Sequence, residues 1–499
     1  MKQLITSIIL LFALSGFAQN DTAFIYTYGG AANDEGKDII QTADSGYIIL
    51  GSTSSFGKGS SDFYVIKLDS NFQVEWTNAY GGPQIETGES ILPADDGGYH
   101  LLGSTNSFGS GGYDVYYVKI DAQGEFEYDD SFGGSNWDFG YDMVYTPEGD
   151  IMVVGETYSF NGGDAQAYVL KLDEFATIQW EKTIGGSKHD LARSIILTED
   201  SHYVFTGENE SIRDSMSTDI WLYKMDTDGK LIWQEVYGGK EEDIGADLVE
   251  DDSFFYITGS SKSYSRENDF NEHVIKTNLD GSFLWYRDRK DNGFGQNLDD
   301  LGLSIFARPN GRILVTGSGK TFGSGSSDFI ISDLNDSGFE NSESGSFGGV
   351  LTDIGYKIFC NNNFDIFILG KSNSYNGLYF DVALLRMDTL FKYSPTDISI
   401  EINIRDTTSS NIPSLSIPKK INSEIHSTTI EASQEYITIS NHEDNRVSYV
   451  LTDLNGRIMD KGIIQARSFT ILSRPSNSFL VLNTYGSMEN RHKIPPSFR

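Results

Sequence analysis

The glycine that ends the apolar stretch "YIILG" returns at Gly51, Gly103, Gly155, Gly207, Gly259, Gly317 and Gly370, at intervals of 52, 52, 52, 52, 58 and 53 residues. A Gly-Gly pair keeps the same period at Gly29, Gly81, Gly133, Gly185, Gly238 and Gly348, with a weaker counterpart near Gly293. So fixed an interval means that one structural unit is built seven times, with one insertion ahead of the sixth copy.

Each unit reads as four short strands. In the second copy "ESILPA", "YHLLGST", "VYYVKI" and "FEYDDSF" are separated by turns rich in Gly, Asp and Ser. Runs of four to eight residues rich in Val, Ile, Tyr and Phe between such turns are strands, and no copy sustains a helical period. Seven four-stranded units of this length predict an all-β chain whose residues 19–390 form a seven-bladed β-propeller. The ring lets some 370 residues share one domain, because each sheet packs only on its neighbours. The seventh copy lacks its outermost strand, whereas "AFIYTY" (23–28) stands unpaired ahead of the first copy. We expect that N-terminal strand to close the last blade.

Stretches such as "YGGAANDEGKDIIQTADSGYIILGSTSSF" resemble the SBBP-type β-propeller repeats of secreted bacterial proteins. The resemblance spans all seven copies and implies the propeller fold; it implies no particular activity.

The two ends imply export. Lys2, the apolar run Leu4–Leu14 and the small residues Gly16 and Ala18 form a secretory signal peptide over residues 1–18. Residues 391–433, rich in Ser, Thr, Ile and Pro, read as a linker, with a strand at "ISIEINI". Residues 434–499 read as a small C-terminal β-sandwich. Its "DLNGRI" turn (Asp453–Ile458), its "SFLVLNTYG" strand and its basic "RHKI" resemble the C-terminal sorting domain of the type IX secretion system of Bacteroidota. That resemblance implies the type IX secretion machinery as a partner and a secreted or cell-surface location.

Net charge is −35, and residues 19–390 carry more than all of it, a net of −37 from 24 Lys and Arg against 61 Asp and Glu. Such a body repels nucleic acid and anionic membranes, and no second apolar run is long enough to span one. The lone Cys360 has no partner for an internal disulfide. The chain is expected to be a monomer.

Two features qualify as candidate sites. Asp34, Glu86, Asp138, Asp190, Asp243, Asp300 and Asp353 occupy one repeat position; they would either ring a channel mouth and bind Ca²⁺ or cap the Gly-Gly turns of their own blades. A second acceptor position holds Asp62, Asp114, Gln166, Asp219, Asn271, Asp328 and Asp381. The other feature is where the repeat breaks. Copies four to six place Lys188, His189, Arg193, Lys262, Tyr264, Arg266, His273, Tyr286, Arg287, Arg289 and Lys290 in one sector of the face that carries the Gly-rich turns. Basic groups and rings in an acidic body suit an acidic glycan.

Metal-ligand spacing, a nucleophile elbow and phosphate loops are absent from the sequence, and no cofactor is expected beyond Ca²⁺. The reading is therefore a non-catalytic exported binding module with a glycan or a surface protein as ligand. The alternatives are a carbohydrate-active lyase or hydrolase using His189 or Tyr286, and a structural protein of the cell envelope.

Overall fold

Each repeat folds into one antiparallel sheet whose strands follow chain order from the inside outwards. In blade 1 the strands are Asp34–Gln41, Tyr47–Thr53, Asp62–Leu68 and Val74–Tyr80. The second and third are buried along their whole length, which is why they read as unbroken apolar runs rather than as alternation. Neighbouring blades cover both of their faces, with Ile48, Leu50, Phe63 and Val65 meeting Tyr99, Leu101, Tyr116 and Val118 of blade 2. The first strand alternates between buried and half-buried residues, and the fourth is mostly half-buried.

This computed structural model describes residues 23–160, 164–213, 217–251, 253–265, 268–289, 299–320, 326–340, 344–375 and 379–387, together with strand backbones between 398 and 494. The expected signal peptide, Arg266, Lys290 and the centre of the "DLNGRI" turn lie outside the described residues.

Seven sheets result, so the fold is a seven-bladed, all-β propeller. Ala23–Tyr28 pairs antiparallel with Asp381–Met387, with Ile25 opposite Leu385, and so completes blade 7 from the other end of the chain. Ile25 is fully buried among Phe329, Ile368 and Leu385. That N-terminal strand is not the outer edge. Ile398–Asn403 runs parallel to it and Pro418–Ser423 follows, making blade 7 a six-stranded sheet out of a stretch read as mostly linker. Blade 6 departs in the other direction, its outer strand shrinking to Gly345–Phe347. Beyond the propeller the backbone forms one three-stranded and one four-stranded sheet, from Thr428 to Ile494.

Contacts between the outer strands fix blade spacing. The ring of Trp76 fills the place a Cβ would take at Gly124 of blade 2; Trp180, Trp233 and Trp285 do the same at Gly229, Gly281 and Gly338. Tyr128 of blade 2 instead packs with Ala176, whose methyl occupies that space in blade 3.

The centre is organised by a bulge. In all seven first strands the register slips by one residue just after the glycine (or Ala192) that faces the second strand. The extra residue is Lys37 in blade 1, and its counterparts turn towards the axis.

Candidate functional site

The Gly-Gly turns and the "SFGxG" turns share one face, as the Ser54 N–H donates to Asn33 O at 2.8 Å and Ser55 Oγ to Asp34 Oδ2 at 2.7 Å. The seven recurring carboxylates do not open onto a channel mouth. All are at most 1% exposed, and six accept from the N–H of the second glycine of their own turn at 2.7–2.9 Å. Asp300 accepts from the Lys320 N–H at 2.8 Å. At Asp34, Thr53 and Ser55 hydroxyls complete the shell. At the acceptor position of the third strand Asp62 takes the N–H groups of Lys58 and Gly59, both at 2.9 Å, and Asp114 that of Ser110 at 3.0 Å, whereas Gln166 instead donates to Ala165 O and Gly186 O. A Cβ on Gly81 would strike Glu86 of its own blade and Asp62 of the preceding one, so glycine is required where those two carboxylates converge. Among the described residues no three His, Cys, Asp or Glu side chains converge as metal ligands.

The basic and aromatic residues of blades 4–6 separate into three places. Arg287 and Arg289 turn inwards. Arg287 bonds Glu272 at 3.2 Å and also Glu340, while Arg289, 5% exposed, reaches Ser332 at 3.0 Å, Gly345 O at 3.3 Å and Glu272 at 3.5 Å. Glu272 is fully buried, so these two cations neutralise it in the seam between blades 5 and 6, and neither lines the pocket formed by Tyr264 and Tyr286. That corrects their expected place on an open binding face. Lys262 is taken by Glu242 at 2.6 Å, and the Lys188 backbone bonds Ser211 and Gln166.

The second place is an outer pocket between blades 4 and 5, a cavity of about 460 Å³. Tyr264, His273 and Tyr286 stack along its wall, with ring centroids 4.5–5.4 Å apart. Tyr264 and Tyr286 remain 39% and 44% exposed, and Phe283 extends the apolar rim. His273 is buried behind them, its Nδ1 2.5 Å from Asp288 Oδ1, which fixes the ring plane. Arg213, not singled out from the sequence, lines the pocket from blade 4. Its guanidinium donates to Val236 O at 2.6 Å and Gly238 O at 3.2 Å and lies 3.5 Å from Asp219. Burial raises the Tyr264 hydroxyl above its usual range.

Arg193 belongs to the third place, the axis of the ring. There a cavity of about 250 Å³ is lined by all seven blades. The bulge residues supply one layer: Lys37, Glu89, Tyr141, Arg193 and Tyr356, with Ala246 and Leu303 on the remaining side. Lys37 sits 4.0 Å above the Tyr356 ring, and across the channel Arg193 lies 5.6 Å above Tyr141. Tyr141 donates to Glu156 at 2.7 Å, Arg193 to Glu208 at 2.7 Å, and His189 Nε2 stands 3.8 Å from Glu156. Burial opposes the charge on Lys37, but Glu89 at 3.7 Å and Glu35 at 4.0 Å hold its pKa above the ordinary lysine value.

The next residue in every blade forms a second ring: Asp38, Ser90, Asp142, Ser194, Asp247, Ser304 and Lys357. Asp38, Asp142 and Asp247 accept from the backbone N–H of Ile91, Ile195 and Ile305 in the following blades, each at 3.0 Å. Ser194 Oγ lies 3.0 Å from Asp142 and 2.8 Å from Asp247, one hydroxyl proton between two carboxylates. Burial pushes Asp142 up to about 6. Of these two layers the sequence had pointed only to Arg193, although the signal was present: three residues after each recurring acid the copies stop agreeing.

No family model matches the chain, and no curated protein matches it. Among solved structures it is similar to the Pan2 WD40 domain of Neurospora crassa, at 11% identity over 74% of this chain and 99% of that one, with a TM-score of 0.43. It is also similar to the β-propeller domain of the Trilobed protease of Pyrococcus furiosus (11%, 73% and 95%, TM-score 0.42) and to puromycin hydrolase (12%, 82% and 59%, TM-score 0.47). At these identities and TM-scores none of them bears on what this chain binds or does.

Proposed function

We propose that the chain is a non-catalytic binding module that holds a glycan in the outer pocket between blades 4 and 5. The observation that carries this reading is the Tyr264–His273–Tyr286 stack, which leaves two tyrosine rings exposed beside a 460 Å³ cavity in an otherwise acidic body. Sugar C–H faces stack on such rings, and Arg213 and Glu235 in the lining supply a donor and an acceptor for hydroxyl or carboxylate groups. Export by the N-terminal leader and delivery to the cell surface through the C-terminal region belong to the same proposal. Their support is the basic, apolar and small-residue layout of residues 1–18 and the C-terminal resemblance, and fractionation of the producing cell tests them.

The binding test is an array of neutral, carboxylated and sulfated glycans, probed with the full mature chain and with Tyr264→Ala and Tyr286→Ala. Loss of one stacking ring should weaken binding by about tenfold, the equivalent of ~1.4 kcal/mol. Binding that survives both substitutions would sink the reading. New reducing ends in the bound glycan would make the chain a carbohydrate-active enzyme instead. A protein ligand is the second reading, favoured by Leu231, Ile232, Phe283 and Leu284, which lie exposed on the outer strands flanking the pocket.

A further inference from the structure

The geometry points to a second, independent ligand site: the axial channel takes one neutral sugar ring, held between Lys37, Glu89, Tyr141, Arg193 and Tyr356. It does not rest on the outer pocket, and it stands or falls separately.

The first ground is how the blades diverge. A repeat that needs only to close a ring keeps the same residues in every copy, as the capping acids and turn glycines do. The bulge position does the opposite. It carries a lysine, a glutamate, two tyrosines and an arginine in five blades and the smaller, apolar Ala246 and Leu303 in the other two. The bulge leaves this residue without a partner in the ladder and turns its side chain into the cavity, so it can vary without cost to pairing.

The second ground is how the lining is bonded. The two cation–tyrosine pairs, Lys37 on Tyr356 and Arg193 on Tyr141, stand on opposite sides of the axis, in blades 1 and 7 and in blades 4 and 3. Each is backed by carboxylates: Glu35 and Glu89 at Lys37, Glu208 and Glu156 around Arg193 and Tyr141. These partners position the cations without exhausting them. The Lys37 ammonium is 3.7 and 4.0 Å from its carboxylates, and Lys357 Nζ is 3.6 Å from Asp38, all beyond a hydrogen bond. Both the Arg193 Nε and Nη2 donors go to one oxygen of Glu208.

The third ground is charge. The lining holds Lys37, Arg193 and Lys357 against Asp38, Glu89, Asp142 and Asp247, near balance in a body with 24 basic and 61 acidic residues. An anion would face the four carboxylates and a cation the three basic groups. A hydroxyl donates to one kind and accepts from the other, so a ring of hydroxyls satisfies both. The 250 Å³ volume is below the range of drug-sized sites, which limits the ligand to a single ring or a chain terminus.

The test titrates the full chain with D-glucose, D-galactose and D-mannose, and with D-glucuronic acid and D-glucosamine, by saturation-transfer NMR and calorimetry. At least one neutral hexose should bind, and the acid and amine of the series should bind about tenfold more weakly. Ala246→Phe, or Leu303→Phe should the first fail to fold, fills the open side of the channel without removing a bonded group and should abolish the signal. Tyr264→Ala should leave it unchanged. The inference is overturned if none of the three hexoses binds, if a folded channel-filling variant binds as before, or if a charged sugar binds best. Loss of glycan binding in Tyr264→Ala with hexose binding intact would uphold both sites; loss of both signals together would place the hexose in the outer pocket and remove only this one.

Discussion

Lys357 Nζ lies 3.6 Å from Asp38 Oδ1, across the seam where the last repeat meets the first. The ring they belong to alternates carboxylate and hydroxyl from Asp38 to Ser304, and seven positions cannot alternate throughout. Lys357 stands where the alternation must fail, and Asp38, Asp247 and Asp142, in that order, raise its pKa. Closure of an odd-numbered ring is thus matched by a charge that neutralises one of the three carboxylates in that ring.

Lys357→Met should therefore destabilise the propeller by about 1–3 kcal/mol. That is less than for a fully buried pair, because 36% of the lysine side chain stays exposed. Urea midpoints measure it, and an unchanged midpoint would show that the cation is dispensable.

Stability should also depend on pH through Asp142. Its carboxyl has an ordinary value of 3.8 and burial pushes it up to about 6, so between these values the folded chain holds a proton that the unfolded chain has lost. Stability from this group rises as pH falls from 6 towards 4 and gains nothing further below. Asp114, also pushed to about 6 by burial, acts with the same sign. Asp142→Asn should flatten the dependence between pH 4 and 6 relative to the native chain, as read from urea midpoints at several pH values. Parallel profiles for the two proteins would refute the assignment.

Blade spacing should respond to paired substitutions. Gly124→Ala places a methyl where the Trp76 ring lies, and at a backbone φ of 78°. It should cost about 1–3 kcal/mol. Adding Trp76→Tyr reproduces the Tyr128–Ala176 combination of the next interface and should recover much of the loss. Without recovery, the match of ring size to turn residue has no energetic basis.

Closure by the N-terminal strand predicts a large effect from a small change. Ile25→Ala removes a fully buried side chain from the blade 7 core and should cost about 2–5 kcal/mol by chemical denaturation. A loss below ~1 kcal/mol would mean that this strand does not hold the ring shut.

Cys360 should be a poor nucleophile. Burial pushes its thiol up to about 11, so at pH 8 labelling by iodoacetamide should run roughly a hundredfold slower than for an ordinary cysteine. Labelling at the free-cysteine rate would contradict that environment.

The sequence by itself determined the number of blades, their strands, the exchange of the closing strand between the chain ends, and the face on which the Gly-rich turns meet. These follow from local rules: turn glycines, apolar runs and a period, each repeated often enough to average out exceptions. It also held both possible roles of the recurring carboxylates, and only the fold shows that each points into its own turn. What tertiary structure alone decided is which divergent residues share a cavity. Arg193, Arg287 and Arg289 look alike in the chain, yet one faces the axis and two neutralise Glu272 in a seam. Lys37 and Tyr356 stand 319 residues apart and meet only because the ring closes. Repetition specifies the scaffold through neighbours in sequence, whereas the site is a sum over one residue from each blade, and that sum exists only once the seven blades surround a common axis.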